Sequence, residues 1–201
     1  MSEYAKVRED AFKSIQKDAG MILSKFDPKG ATKIADADIL FTTSGGVNPS
    51  CKYNFIDFGE DIDNVPNGTK ELMEVDSVDC QMTFTVLDTT VQAIKTALGA
   101  ADSETVTGAT GGTLTKITPR SELKQTDFKD IWWVGPTTNG GFAACCLKNA
   151  LSIDGFSIQT TKKEKGKISV TLKGHYSIDN VDEVPMEFYV FEKAEESTSE
   201  S

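Results

Sequence analysis

The sequence predicts a β-rich α+β domain: a β-sandwich or a pair of strongly twisted sheets with one α-helix packed on one side. Three observations carry this expectation. Val78, Cys80, Met82, Phe84 and Val86 alternate with Asp79, Gln81, Thr83 and Thr85, the period of two of a half-buried strand. Ile168, Val170, Leu172, Gly174, Tyr176 and Ile178 alternate in the same way with Lys167, Ser169, Thr171, Lys173, His175 and Ser177. Between these stretches the period changes once, where Val91, Ile94, Ala97 and Leu98 share one side of a helix over 89–98. Thr89 is placed to cap that helix, Gln92 to complete a capping box, and Gly99 to make the left-handed turn that ends it.

The other elements follow in chain order. Tyr4, Val7, Ala11 and Ile15 align as a helix over 4–18, within an N-terminal arm of residues 1–20. Met21-Ile22-Leu23 and Phe26 read as a short strand stopped by Asp27-Pro28. Asp38 to Thr43 is a second strand, with Ser44-Gly45-Gly46 and Asn48-Pro49 as the turn after it. Cys51, Tyr53 and Phe55 alternate with Lys52, Asn54 and Ile56 in a third. Residues 57–77 then read as a long irregular loop, in which Asp57, Glu60, Asp61, Asp63, Glu71, Glu74 and Asp76 outnumber the single base Lys70.

Beyond the helix, Ala100 to Gly112 reads as a flexible turn, and strand character returns at Leu114 and Ile117 until Pro119. Ile131-Trp132-Trp133-Val134 and Phe142 to Leu147 are apolar without a break and read as buried strands. Ile153, Phe156 and Ile158 suit a strand with a bulge at Asp154-Gly155, and Val184 to Phe191 is the last strand. This makes nine or ten strands in a domain of residues 21–192, followed by a flexible tail over 193–201.

Composition restricts the chemistry. A chain of 201 residues with 38% hydrophobic and 26% charged residues has the make-up of a soluble single domain. The net charge of −10 argues against general affinity for nucleic acid, because binding phosphates takes Lys and Arg. The first twenty residues are charged throughout and no apolar run reaches the roughly 20 residues of a membrane span, so the expectation is a cytoplasmic protein with neither signal peptide nor membrane partner. Cys51, Cys80, Cys145 and Cys146 lack CxxC spacing and are expected as reduced, partly buried thiols. Asp61 and Asp63 have the opening spacing of a calcium loop, but Val65 stands where a third oxygen ligand belongs. Gly108, Gly111 and Gly112 form neither GxGxxG nor a P-loop. The single histidine, His175, falls on the polar side of its strand without a GxSxG elbow elsewhere. The expectation is a protein that is not an enzyme, with no cofactor, metal or catalytic residue. Trp132 and Trp133 read as one core ring and one interface ring rather than a sugar platform, since no polar cluster adjoins them to fix a sugar. A surplus of strands leaves sheet edges with unpaired N–H and C=O groups, which copies of the chain can pair with one another.

The stretch Ala19-Gly20-Met21-Ile22-Leu23-Ser24-Lys25-Phe26-Asp27-Pro28 resembles the opening of major tail tube proteins of long-tailed bacteriophages. The order of strand, acidic segment 57–77, strand–helix unit 78–99 and β-rich second half is similar too. The resemblance implies a tail tube fold whose subunits form stacked hexameric rings, with inner strands joined into a ring β-barrel around a lumen that passes double-stranded DNA. It also implies virion localisation after assembly in the bacterial cytoplasm. The partners it implies are the tape measure, tail terminator and distal tail proteins besides copies of the chain. Within that picture the acidic residues of 57–77, with Lys70, form the inter-ring loop. Asp79, Gln81, Thr83 and Thr85 are placed nearer the lumen than the later strand carrying Lys167 and Lys173. Two other readings stand beside it: the inner tube of a contractile tail or injection device, and a carbohydrate-binding β-sandwich.

Overall fold

The computed structural model describes residues 7, 8, 10–30 and 33–193. Among them lie eleven strands: β1 (Met21–Leu23), β2 (Ile39–Phe41), β3 (Thr43–Asp57), β4 (Met73–Val86), β5 (Ala101–Val106), β6 (Leu114–Pro119), β7 (Lys129–Pro136), β8 (Phe142–Ser152), β9 (Ile158–Gln159), β10 (Lys167–Lys173) and β11 (Met186–Phe191). One α-helix, α1 (Val91–Leu98), and four short 3-10 turns complete the described elements. The architecture is β-rich α+β and sandwich-like, with sheets that do not close.

The strands run in the order β2-β1-β7-β8-β10-β4-β3, with β11 on the far side of β8 and β9 on β10. β8 belongs to both layers. Its residues Phe142–Leu147 lie between β7 and β11, and its end, Leu151 and Ser152, pairs with Lys173 and Leu172 of β10. The main core is filled by Ile22, Phe41, Ile131 and Leu147 from one layer and Cys80, Met82, Phe84, Val170 and Leu172 from the other. A second cluster of Leu23, Val134 and Ala144 lies on the opposite side of the first layer, under Phe26, Ile34, Trp132 and Tyr189. A layer covered on both sides has no polar face, which is why β7 and β8 read as unbroken apolar runs. Cys145 belongs to the main core, and Cys146, one residue on, is buried on the other side.

The helix lays Ala93 and Ala97 on the core. Its cap is Thr90, not Thr89: the Thr90 hydroxyl accepts from Ala93 N–H at 3.1 Å. The helix begins at Val91, so Thr90 is the residue whose side chain reaches the third amide. Gly99, at φ 76°, ends it by donating to Lys95 C=O at 3.0 Å.

Four further expectations are corrected. The helix over 4–18 is absent from its described part, where only Ala11–Lys13 makes a 3-10 turn; residues 1–6 and 9 lie outside the described residues. Tertiary bonds take the backbone instead. Lys17 N–H donates to Pro136 C=O at 2.8 Å, and Thr138 and Asn139 N–H donate to Ile15 and Lys13 C=O. The N-terminal segment is thus tied to the β7–β8 turn, and Gly20 packs so tightly against β7 that a Cβ would meet Val134 O at 2.5 Å. Second, residues 44–49 form no turn but lie inside β3. Gly45 and Gly46, at φ 79° and 88°, make a bulge in its ladder between Ser44 and Val47. Pro49 is tolerated because β3 is an edge strand and needs donors on one side alone. Third, Ala101–Val106 is not a loose turn but the partner of β6 in a two-stranded sheet. Its residues Ser103-Glu104-Thr105 are exposed and show no apolar alternation; the Glu104–Lys116 and Asp102–Arg120 ion pairs, both at 3.0 Å, cross the hairpin or bind its end. Fourth, β10 stops at Lys173: His175 N–H turns to Lys148 C=O, and the His175 ring is half-buried, donating from Nδ1 to Asn149 C=O at 3.1 Å and packing edge-on against Phe128. A carbonyl only accepts, so Nδ1 carries the proton.

Candidate functional site

The β3–β4 hairpin reaches beyond the rest of the molecule. β10 pairs with β4 over Gln81–Val86. Gly174 N–H then donates to Cys80 C=O at 2.9 Å, and the Tyr176 hydroxyl accepts from Val78 N–H at 3.2 Å. Past Val78, β3 is the strand that β4 pairs with, from Tyr53↔Val78 through Asn54↔Ser77 and Phe55↔Val75 to Asp57↔Met73. The ladder slips between Asn54 and Phe55, a bulge that twists the ribbon.

The root and the tip of this hairpin share one apolar row. In the root, Val78, Cys80, Met82, Phe84 and Val86 are buried. In the tip, Tyr53, Phe55, Val75 and Met73 continue it but are 51%, 59%, 52% and 36% exposed. Tyr53 and Phe55 stack with ring centroids 6.2 Å apart. Phe58 and Ile62, in the turns beyond, are exposed as well. An isolated two-stranded ribbon is marginal in water, and a contiguous apolar row on it marks a contact surface.

The segment 57–77 is shorter and more regular than its composition predicts. β3 runs to Asp57 and β4 begins at Met73, so Glu74 and Asp76 are strand residues and the connection is residues 58–72. That connection is folded on itself by internal bonds. The Asp57 carboxylate accepts from Gly59 N–H at 2.8 Å and from Gly68 N–H at 2.7 Å, bridging both ends of the turn. Phe58 N–H donates to Leu72 C=O at 2.9 Å and closes it. Glu60, Asp61 and Asp63 are exposed at the tip, and Lys70 pairs with Glu71 at 3.3 Å in solvent. The acids therefore decorate the tip while the apolar row supplies contact area. The period-two signal of Met73 and Val75 against Glu74 and Asp76 was present in the sequence, hidden by the count of acids.

Asp79, Gln81, Thr83 and Thr85 lie side by side on the outer face of β4. Because β10 is the next strand, with Lys173↔Gln81, Thr171↔Thr83 and Ser169↔Thr85 in register, the two polar faces that the sequence separates are one surface. β3 adds Lys52, Ser50 and Asn48 to it. Lys173 pairs with Asp79 at 2.8 Å, and Gln81 donates to the other carboxylate oxygen at 2.7 Å. The Lys173 bond, foremost, holds the Asp79 carboxyl below its usual range. The surface is thus hydroxyl- and amide-rich, with its one acid compensated.

Trp132 and Trp133 point to opposite sides of β7, and both are half-buried. Trp133 packs on the main core and its indole N–H donates to Ala19 C=O at 2.9 Å. Trp132 lies between Phe26 and Tyr189, each 5.6 Å away between ring centroids.

A second uncovered apolar area was not anticipated. Phe188 and Val190 on β11 share the side of buried Met186, and Phe188 pairs with buried Cys145, yet they are 59% and 72% exposed. The core-facing side of this layer continues past the layer that covers it. No protein-family model matches the chain, and no curated protein matches it.

Proposed function

We propose that this chain is a structural subunit that assembles with copies of itself into the stacked rings of a phage tail tube, the conduit for double-stranded DNA. The observation that carries this reading is the apolar row of Tyr53, Phe55, Val75 and Met73 on a two-stranded ribbon projecting past its own core. Such a row is costly in water and is satisfied by a neighbouring subunit. The open edge of β3, 15 residues long, and the bare side of β11 supply further contacts of the kind ring closure needs. The resemblance of residues 19–28 to tail tube openings supports the same assignment.

In this reading the hairpin tip reaches the adjacent ring, with Glu60, Asp61, Asp63 and Glu71 meeting polar groups around the apolar contact. The face of Asp79, Gln81, Thr83 and Thr85 lines the lumen. Asp79 is matched by Lys173, while Lys52 and Lys167 leave the surface slightly basic; screening limits the field of these few charges to about 8 Å, so DNA meets only a weak attraction there. The subunit performs no chemistry and takes no cofactor; tape measure, terminator and distal tail proteins meet the ends of the tube.

Electron microscopy of the purified chain at rising concentration tests this. Wild type is expected to give rings or tubes, and a Phe55→Ser, Val75→Ser double variant is expected to stay dispersed with an unchanged circular dichroism spectrum. Tubes of normal length from the variant would remove the hairpin tip from the assembly, and a wild type that stays monomeric throughout would remove the assembly itself.

A further inference from the structure

We propose that Cys51 and Cys80 form an oxidisable dithiol, a cross-strand modification site at the root of the projecting hairpin that small disulfides convert to an intramolecular disulfide. The two residues are direct partners in the β3–β4 ladder, and their sulfurs lie 3.6 Å apart. Both are free thiols, Cys51 half-buried on the edge strand and Cys80 fully buried beneath it. Opposed residues of an antiparallel pair have Cβ atoms about 4.5–5.5 Å apart, and a disulfide needs about 3.5–4.5 Å. The closure is therefore a shift of about 1 Å. β3 is able to make it because, among the described residues, nothing pairs with its outer edge, and because the bulge at Ser44/Val47 gives its own backbone slack while the extra residue Asp76 does the same for β4.

The accessibilities fix the order of events. Burial, followed by the neighbouring Cys51 thiol, pushes the Cys80 thiol up to about 12, so it does not open the reaction. Cys51, within reach of solvent, attacks one sulfur of the small disulfide, loses its proton and releases one small thiol. Cys80 then gives up its proton and attacks the Cys51 sulfur, forming the protein disulfide and releasing the second small thiol. Two protein thiols are oxidised by two electrons, and one small disulfide is reduced to two thiols. Cys145 and Cys146 stay outside the exchange because neither lies opposite Cys51: Cys145 pairs with Trp133 and Phe188, and Cys146 with Trp132 and Glu187, in the ladders of β8. The inference rests on the ladder geometry and is independent of the assembly reading.

The test uses the full chain with oxidised glutathione, followed by alkylation, digestion and peptide mapping. The expected product is a Cys51–Cys80 linked peptide and an intact mass lower by two hydrogens, with Cys145 and Cys146 alkylated after unfolding. A protease nick in 58–72 should then leave two fragments joined until a reductant is added. Cys80→Ala should trap glutathione on Cys51, Cys51→Ser should stop both steps, and Cys145→Ala should leave the link intact. A glutathione that persists on Cys51 of the wild type while Cys80 remains free, a link from Cys51 to Cys145, or no reaction at Cys51 would each overturn the proposal.

Discussion

The root and the tip of the β3–β4 hairpin are built by the same two strands, with apolar and polar residues alternating in both and the phase of β4 slipping by one residue at Asp76 between them. The root is covered on one side by the opposing layer and flanked by β10, so Met82 and Phe84 are buried. The tip outruns both neighbours, and Phe55 and Val75 meet water. What separates them is the length of the surrounding strands, not their own sequence. An apolar row is a core where something lies opposite and a contact surface where nothing does.

The comparison can be broken first at the root. Phe84→Ala removes a ring stacked on Phe41 at 5.8 Å between centroids in the buried cluster. It should cost about 3–5 kcal/mol in chemical denaturation. A loss under about 1 kcal/mol would mean that the root is not packed as described.

At the far end, Asp57→Ala frees the Gly59 and Gly68 amides. Local protection of those amides from hydrogen exchange should fall by about 1.5–3 kcal/mol, while the root exchanges as before. Equal loosening of root and tip would show them to be one cooperative unit. Thr90→Ala, in the helix beside the root, should lower global stability by about 1 kcal/mol through loss of its cap, whereas Thr89→Ala should be nearly silent.

Acid sharpens the contrast. Three carboxyls outside the tip have lowered values: Asp79 from its Lys173 bond, Asp127 from the Lys124 backbone N–H and then Arg120, and Glu187 from Lys148 and then Tyr189. Each is lower in the folded than in the unfolded chain, so its contribution is complete above the ordinary carboxylate range and is lost as pH falls through the lowered value. The denaturation midpoint should therefore drop below about pH 4, modestly because Asp79 and Glu187 are part-exposed and screened. Asp127→Asn should flatten that drop; an unchanged profile would mean that its bonds to Lys124 and Arg120 do not persist in solution. Smallest of all, Phe55→Ser with Val75→Ser should alter the stability of the isolated chain by less than about 0.5 kcal/mol, since neither residue is covered. A larger loss would place the tip inside the folded core.

Much of this was legible in the residues. The alternation at 78–86 and 168–172 located the central strands and their buried faces, and the unbroken apolar runs at 131–134 and 142–147 located the doubly covered ones. The helix was found with its cap one residue early, because Thr89 and Thr90 are chemically equivalent and only the first helical residue decides between them. The four cysteines were expected as thiols, and Cys51, Cys80, Cys145 and Cys146 are free. The turn reading of Gly45, Gly46 and Pro49 failed because those residues are also what a bulged edge strand tolerates. The helix reading of 4–18 failed in its described part because bonds to residues 136–139 outbid local propensity. The polar strand β5 gave no signal, since its pairing comes from β6 and from ion pairs distant in sequence.

The sequence by itself determined the periods, and with them which side of each strand is apolar, because the pleat and the helical turn are properties of neighbouring residues. Only the tertiary structure decided which strands adjoin, that the polar sides of β4 and β10 form one surface, that Cys51 lies against Cys80, and how far the hairpin outruns its cover. Those facts depend on register between segments far apart in the chain, and register is set by packing against surfaces that no local pattern describes.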